Sequence, residues 1–112
     1  MKDELELNAL KLLEADPELS QRQLAGNLGI SVGAANYCVK ALVSKGWLKL
    51  ENFHKNQNKM GYVYLLTPSG IMAKTDLTMR FLQRKLREYE RLEKEIVALQ
   101  TEIEHNVAMK SD

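Results

Sequence analysis

Cysteine is nearly absent from this chain of 112 residues: Cys38 stands alone, so no internal disulfide forms and the fold has to rest on packing. Histidine is almost as scarce, and neither His54 nor His105 has a partner at metal-ligand spacing, so no metal and no cofactor is expected. A glycine-rich phosphate loop is missing as well, which together with the small size leaves little basis for an enzyme. No apolar run approaches the length of a membrane span, and the opening MKDELELNALKLLEAD is acidic and amphipathic rather than signal-like. A cytoplasmic protein with no membrane association is the expectation. The net charge is only +1, too small by itself for an indiscriminate polyanion binder, and repeats and low-complexity tracts are lacking.

Both prolines fall at predicted boundaries. Residues 2–15 form a helix with Leu5, Ala9, Leu10, Leu12 and Leu13 as broad apolar coverage, stopped by Asp16 and Pro17 because proline disfavours helix in the residue before it. Its acidic side is expected to face outward. Pro68 occupies the first turn of a second, much longer helix, with Thr67 as its N-cap.

Between them lies the most informative stretch, SQRQLAGNLGISVGAANYCVKALVSKGW, residues 20–47. Ser20 and Gln23 form a capping box, and Leu24, Ala25 and Leu28 give the following short helix one apolar side. Gly29 supplies the left-handed residue that ends it. Ser31 then caps a helix on which Ala35, Cys38, Val39, Leu42 and Val43 repeat inward, with Gly46 closing its end. The spacing predicts a helix-turn-helix. Cys38 is expected to be a buried structural thiol.

The opposite face carries Ser31, Gly33, Ala34, Asn36, Tyr37, Lys40 and Ser44, small and hydrogen-bonding side chains that suit base edges and phosphates. Trp47 to Phe53 and Tyr62 to Leu66 then read as the strands of a hairpin. The polar stretch between them, residues 54–61, reads as a wing loop. His54, Lys55, Asn56, Gln57, Asn58 and Lys59 are its candidate DNA contacts.

The distribution of charge agrees with that placement. Residues 1–19 are net −4, residues 20–59 net +5 with Arg22, Lys40, Lys45, Lys49, Lys55 and Lys59 against Glu51 alone, and residues 60–112 balance. The basic segment coincides with the helix-turn-helix and wing, where phosphate attraction is needed.

From Ile71 to about Ala108 nothing breaks the last helix, about 57 Å at a rise of 1.5 Å per residue. Tyr89, Leu92, Ile96, Leu99 and Ile103 alternate steps of three and four, and Leu82 extends the frame backward past Lys85. That is the pattern of a coiled-coil seam, so a homodimer is expected, with an intramolecular fold-back as the competing arrangement.

The order of elements and two phrases carry a resemblance. The run LLTPSG, with Leu66, Thr67, Pro68 and Gly70, and the run SVGAANYCVKALVSKGWL are similar to the corresponding parts of MarR-type winged-helix regulators over roughly residues 5–80. The short N-terminus and long last helix look like the small members associated with exopolysaccharide (EPS) genes. The resemblance implies a homodimeric transcriptional regulator on a palindromic operator, with Asn36, Tyr37 and Lys40 in the major groove. Two departures stand out. The wing holds Lys55 and Lys59 where the family commonly places an arginine beside an acidic residue, and the family's additional N-terminal helix is missing, so no small-molecule effector is implied.

The expected class is therefore mainly α, an α+β winged helix-turn-helix with a two-stranded wing over residues 1–70 and a C-terminal coiled-coil helix over 71–112. The alternative function is a winged-helix docking module that binds a protein partner and has no specific DNA site.

Overall fold

The computed structural model describes residues 2–56 and 59–110, the side chains of residues 53–61 excepted. The elements run α1 (Lys2–Ala15), α2 (Gln21–Leu28), α3 (Val32–Ser44), β1 (Leu48–Asn56), β2 (Lys59–Leu66) and α4 (Pro68–Lys110). Residues 1–78 form one compact unit and residues 79–112 a second.

The core is made of Leu7, Leu10 and Leu13 of α1, Leu24 of α2, Val39 and Leu42 of α3, and Leu48 of β1, all at 2% exposure or less. Burying a leucine or a valine is worth roughly 1.5–3 kcal/mol, so these six leucines and one valine dominate the first unit. Ala9, Ala25 and Ala35 are equally buried, their small side chains permitting close approach between the helices that carry them. Val43 departs from its predicted inward place. It is 37% exposed, and only the 35, 38, 39, 42 stripe of α3 is buried.

The capping chemistry read from sequence is present. Ser20 Oγ accepts from Gln23 N–H at 3.1 Å while Ser20 N–H donates back to Gln23 Oε1 at 3.0 Å. Gly29 and Gly46 both take positive φ, at 70° and 79°, and each begins the same helix-ending turn. Ile30 N–H reaches the carbonyl of Ala25 at 3.0 Å, and Trp47 N–H that of Leu42 at 3.0 Å.

The hairpin is antiparallel, from Leu48 opposite Leu66 to Asn56 opposite Lys59, with an irregularity between His54 and Asn56. The predicted wing loop is thereby corrected. His54, Lys55, Asn56, Lys59, Met60 and Gly61 lie in strands, because backbone pairing does not require apolar side chains and runs on through this polar stretch. Among the described side chains of the ribbon, Leu50 is 48% and Tyr62 63% exposed.

A second correction concerns α1. Glu6 is not on an acidic outer face; it is 7% exposed and its Oε2 accepts from Lys45 Nζ at 2.7 Å. The start of α4 belongs to the first unit: Leu77 is 3% exposed, and Lys74 is ion-paired with Glu14 of α1. In the second unit α4 continues without a break, and nearly all its apolar side chains there are exposed.

Candidate nucleic-acid interface

The candidate site is the outward side of α3, whose position is set from both ends. At its N-terminus Ser31 Oγ accepts from Ala34 N–H at 3.1 Å, so this hydroxyl already serves the cap. At its C-terminus the turn through Gly46 and Trp47 is clamped by the first residues of α4. The Gly46 carbonyl accepts from both Thr67 Oγ1 and Ser69 Oγ, the latter at 2.9 Å, and Thr67 N–H donates to the Trp47 carbonyl at 3.0 Å. Thr67 Oγ1 also accepts from Gly70 N–H at 3.0 Å, capping α4. Gly70 is required by proximity: a Cβ built there would lie 2.0 Å from the Trp47 carbonyl oxygen. The TPSG phrase is thus a lock on the end of α3, a role that sequence reading, which saw in it a helix start and a family resemblance, did not find.

Among the predicted contacts, Gly33, Ala34, Tyr37, Lys40 and Ser44 are exposed along one side of α3, with Tyr37 at 79%. Arg22 is exposed on the first turn of α2. Asn36 is half-buried, and its Oδ1 accepts from Gln21 Nε2 at 3.1 Å, a bond that ties α2 to α3. The side chains of His54, Lys55, Asn56 and Lys59, and the whole of Gln57 and Asn58, lie outside the described residues.

The positive charge counted along residues 20–59 is not all available. Lys45 is held by Glu6 and stands 4.6 Å from the centre of the Trp47 ring, and Lys49 pairs with Glu51 at 2.6 Å. Arg22 and Lys40 remain as the exposed cations of the two helices outside those pairs. Cys38 is 6% exposed, and its thiol is pushed above the ordinary value of 9.0, chiefly by burial and then by the Glu6 carboxylate, against the opposing effect of Lys45. A groove of about 430 Å³ runs over it, walled by Leu5, Ala34, Tyr37 and Ala41. Among the described residues no group of three or more His, Cys, Asp or Glu could hold a metal ion, and no helix is long and apolar enough to cross a membrane.

Two short helices joined by a glycine turn, a third packed behind them and a two-stranded ribbon define this architecture, and residues 2–49 match a family described as winged helix-turn-helix DNA-binding. The fold is a winged helix-turn-helix. Solved structures agree. PcaV, a transcriptional regulator from Streptomyces coelicolor solved with its natural ligand, has a TM-score of 0.63 at 20% identity, covering 96% of this chain and 74% of its own. ZitR, a zinc-responsive MarR family member from Lactococcus lactis, has a TM-score of 0.58 at 20% identity, covering 79% and 58%. RV1404 from Mycobacterium tuberculosis has a TM-score of 0.58 at 20% identity, covering 78% and 58%. This chain therefore spans less than two thirds of the length of the latter two. No curated protein matches the sequence.

Proposed function

We propose that this winged helix-turn-helix chain is a cytoplasmic, MarR-type transcriptional regulator that binds a palindromic operator as a homodimer and controls exopolysaccharide genes. The observation that carries the DNA reading is the exposed row Gly33, Ala34, Tyr37, Lys40 and Ser44 on a helix fixed at both ends. Small residues near the N-terminus of that helix let backbone and bases approach, Tyr37 supplies a hydrogen-bonding and stacking group, and Lys40 meets phosphate. Arg22, at the start of α2, provides a second phosphate contact, and the ribbon with Lys55 and Lys59 flanks the site.

The homodimer reading is supported by the exposed seam Leu82, Tyr89, Leu92, Ile96, Leu99 and Ile103 in residues 71–112. The MarR-type reading is supported by the LLTPSG phrase and by the fold shared with ZitR. The exopolysaccharide assignment rests on the resemblance in overall pattern.

Selection of bound sequences from random duplex DNA tests the function. A palindromic site preferred by about a thousandfold over a scrambled control is the expected result, the margin typical of specific binders. Failure to enrich any site would overturn the reading in favour of a protein-docking module, in which the ion pairing of Lys45 and Lys49 leaves little positive surface.

A further inference from the structure

The orientation of the α4 pairing follows from which residues flank the seam. From Tyr89 onward the heptad is regular, with Tyr89, Ile96 and Ile103 at a and Leu92 and Leu99 at d. These five side chains are 46–63% exposed, an unpartnered stripe on a continuous helix. Isoleucine at a with leucine at d sets the number of strands, selecting two over three or four in a parallel coil.

Charge sets the direction. The g positions are Glu88, Glu95 and Glu102, and the e positions are Glu93, Gln100 and Val107. An antiparallel pair sets g against g and e against e, so the glutamate row of one helix would face the glutamate row of the other along its length. A parallel pair sets g against the next e of the partner. Glu95 then meets Gln100, Glu102 meets Val107, and only Glu88 meets a like charge, at Glu93. Even that repulsion is moderated, because Lys85 Nζ lies 3.3 Å from Glu88 Oε2 on the same helix. Lys85 would otherwise disturb the seam one heptad earlier; instead it turns toward Glu88 and stands 5.2 Å from the Phe81 ring centre. The cations Arg87, Arg91 and Lys94 occupy c and f positions, on the back of the helix.

We propose that the partner of this stripe is the same stripe of a second copy, in parallel and in register. This rests on the homodimer reading and adds its direction. Two copies joined in this way enter the coil from the same end.

Asn106 takes the d position beyond Leu99 and lies far from the middle of the coil, where only parallel pairing brings it beside its own copy. The test uses the full chain with Cys38→Ala and Asn106→Cys, under mild thiol oxidation, with sedimentation run alongside. The expected result is conversion of most of the chain to a covalent dimer that retains helix content. A dimer by sedimentation that forms no disulfide at 106 would overturn parallel pairing while leaving the homodimer intact. A monomer at every concentration would overturn both. Should Cys38→Ala fold poorly, the chain retaining its 6%-exposed Cys38 gives the same reading, with Asn106→Ser as the control for any linkage through residue 38.

Discussion

Replacing Gly70 by alanine sets two effects of opposite sign against each other. Gly70 lies in the first turn of α4, where helix propensity alone favours alanine by about 1 kcal/mol. The structure opposes it. The new Cβ would stand 2.0 Å from the Trp47 carbonyl oxygen and 2.9 Å from its carbon, both backbone atoms that cannot swing aside. Relieving the contact moves the start of α4 by about 1 Å, enough to strain the Thr67 N–H bond to Trp47 and both hydroxyl bonds to Gly46. Three hydrogen bonds at about 1 kcal/mol each, with about 1–3 kcal/mol of overpacking, outweigh the propensity gain. The net is a loss of about 3–5 kcal/mol, which for a unit of this size lowers the Tm by roughly 12–40 °C. Thermal unfolding followed by the fluorescence of Trp47, the sole tryptophan, reports at the site of the clash. Gly26→Ala is the matched control: nothing lies within 4 Å of its Cβ position on α2, so the Tm should rise by a few degrees. A Gly70→Ala chain as stable as the wild type would refute the close-packing argument.

Three further outcomes are expected. Lys45→Met leaves Glu6 buried at 7% exposure without its cation and should cost about 1–3 kcal/mol in chemical denaturation, most of it recovered by adding Glu6→Leu; no recovery would mean that packing rather than charge was lost. The Cys38 thiol is raised in the folded state, so its contribution to stability is complete below pH 9.0 and falls away as the pH climbs through the folded value; Cys38→Ala should flatten the alkaline limb of a stability profile, and an unchanged limb would contradict this. In operator binding, Lys40→Ala should reduce the slope of log K against log salt by about 1.8 for a dimer, whereas the double change Lys49→Ala with Glu51→Ala, which removes a formed pair, should leave it unaltered.

Elements with local signals were legible before any coordinates. The capping box at Ser20, the cap at Ser31, the left-handed Gly29 and the proline start of α4 all depend on neighbours within four residues, and each stands as expected. What sequence could not show depends on distant partners. Glu6 and Lys45 are 39 positions apart, and nothing in an acidic, amphipathic helix singles out the carboxylate that turns inward. The intimacy of Gly70 with Trp47 is equally non-local, although an S-G pair directly after T-P, where α4 begins, is a weak hint, since helix interiors rarely gain from glycine. The wing loop was misread for a related reason. Polar residues signal exposure, and an exposed ribbon can still pair its backbone, so His54 to Asn56 extended β1 instead of ending it.

These non-local contacts bear on function through one turn. Gly46 and Trp47 end α3 and lead into β1, and the hydroxyls of Thr67 and Ser69 close on that same turn from the start of α4. The end of α3, the root of the ribbon and the root of α4 are therefore fixed to one another by two hydroxyls and a few backbone atoms. Phosphate and base contacts demand placement to within a fraction of an ångström, which a helix on a loose turn does not give. Thr67→Val keeps the shape of the side chain but removes both the donor to Gly46 and the acceptor for Gly70 N–H. If the turn positions α3, this change should weaken operator affinity more than Lys40→Ala does, without altering the salt slope, in chains that remain folded. Equal affinity to the wild type in a folded chain would show that α3 is held well enough by its apolar face alone.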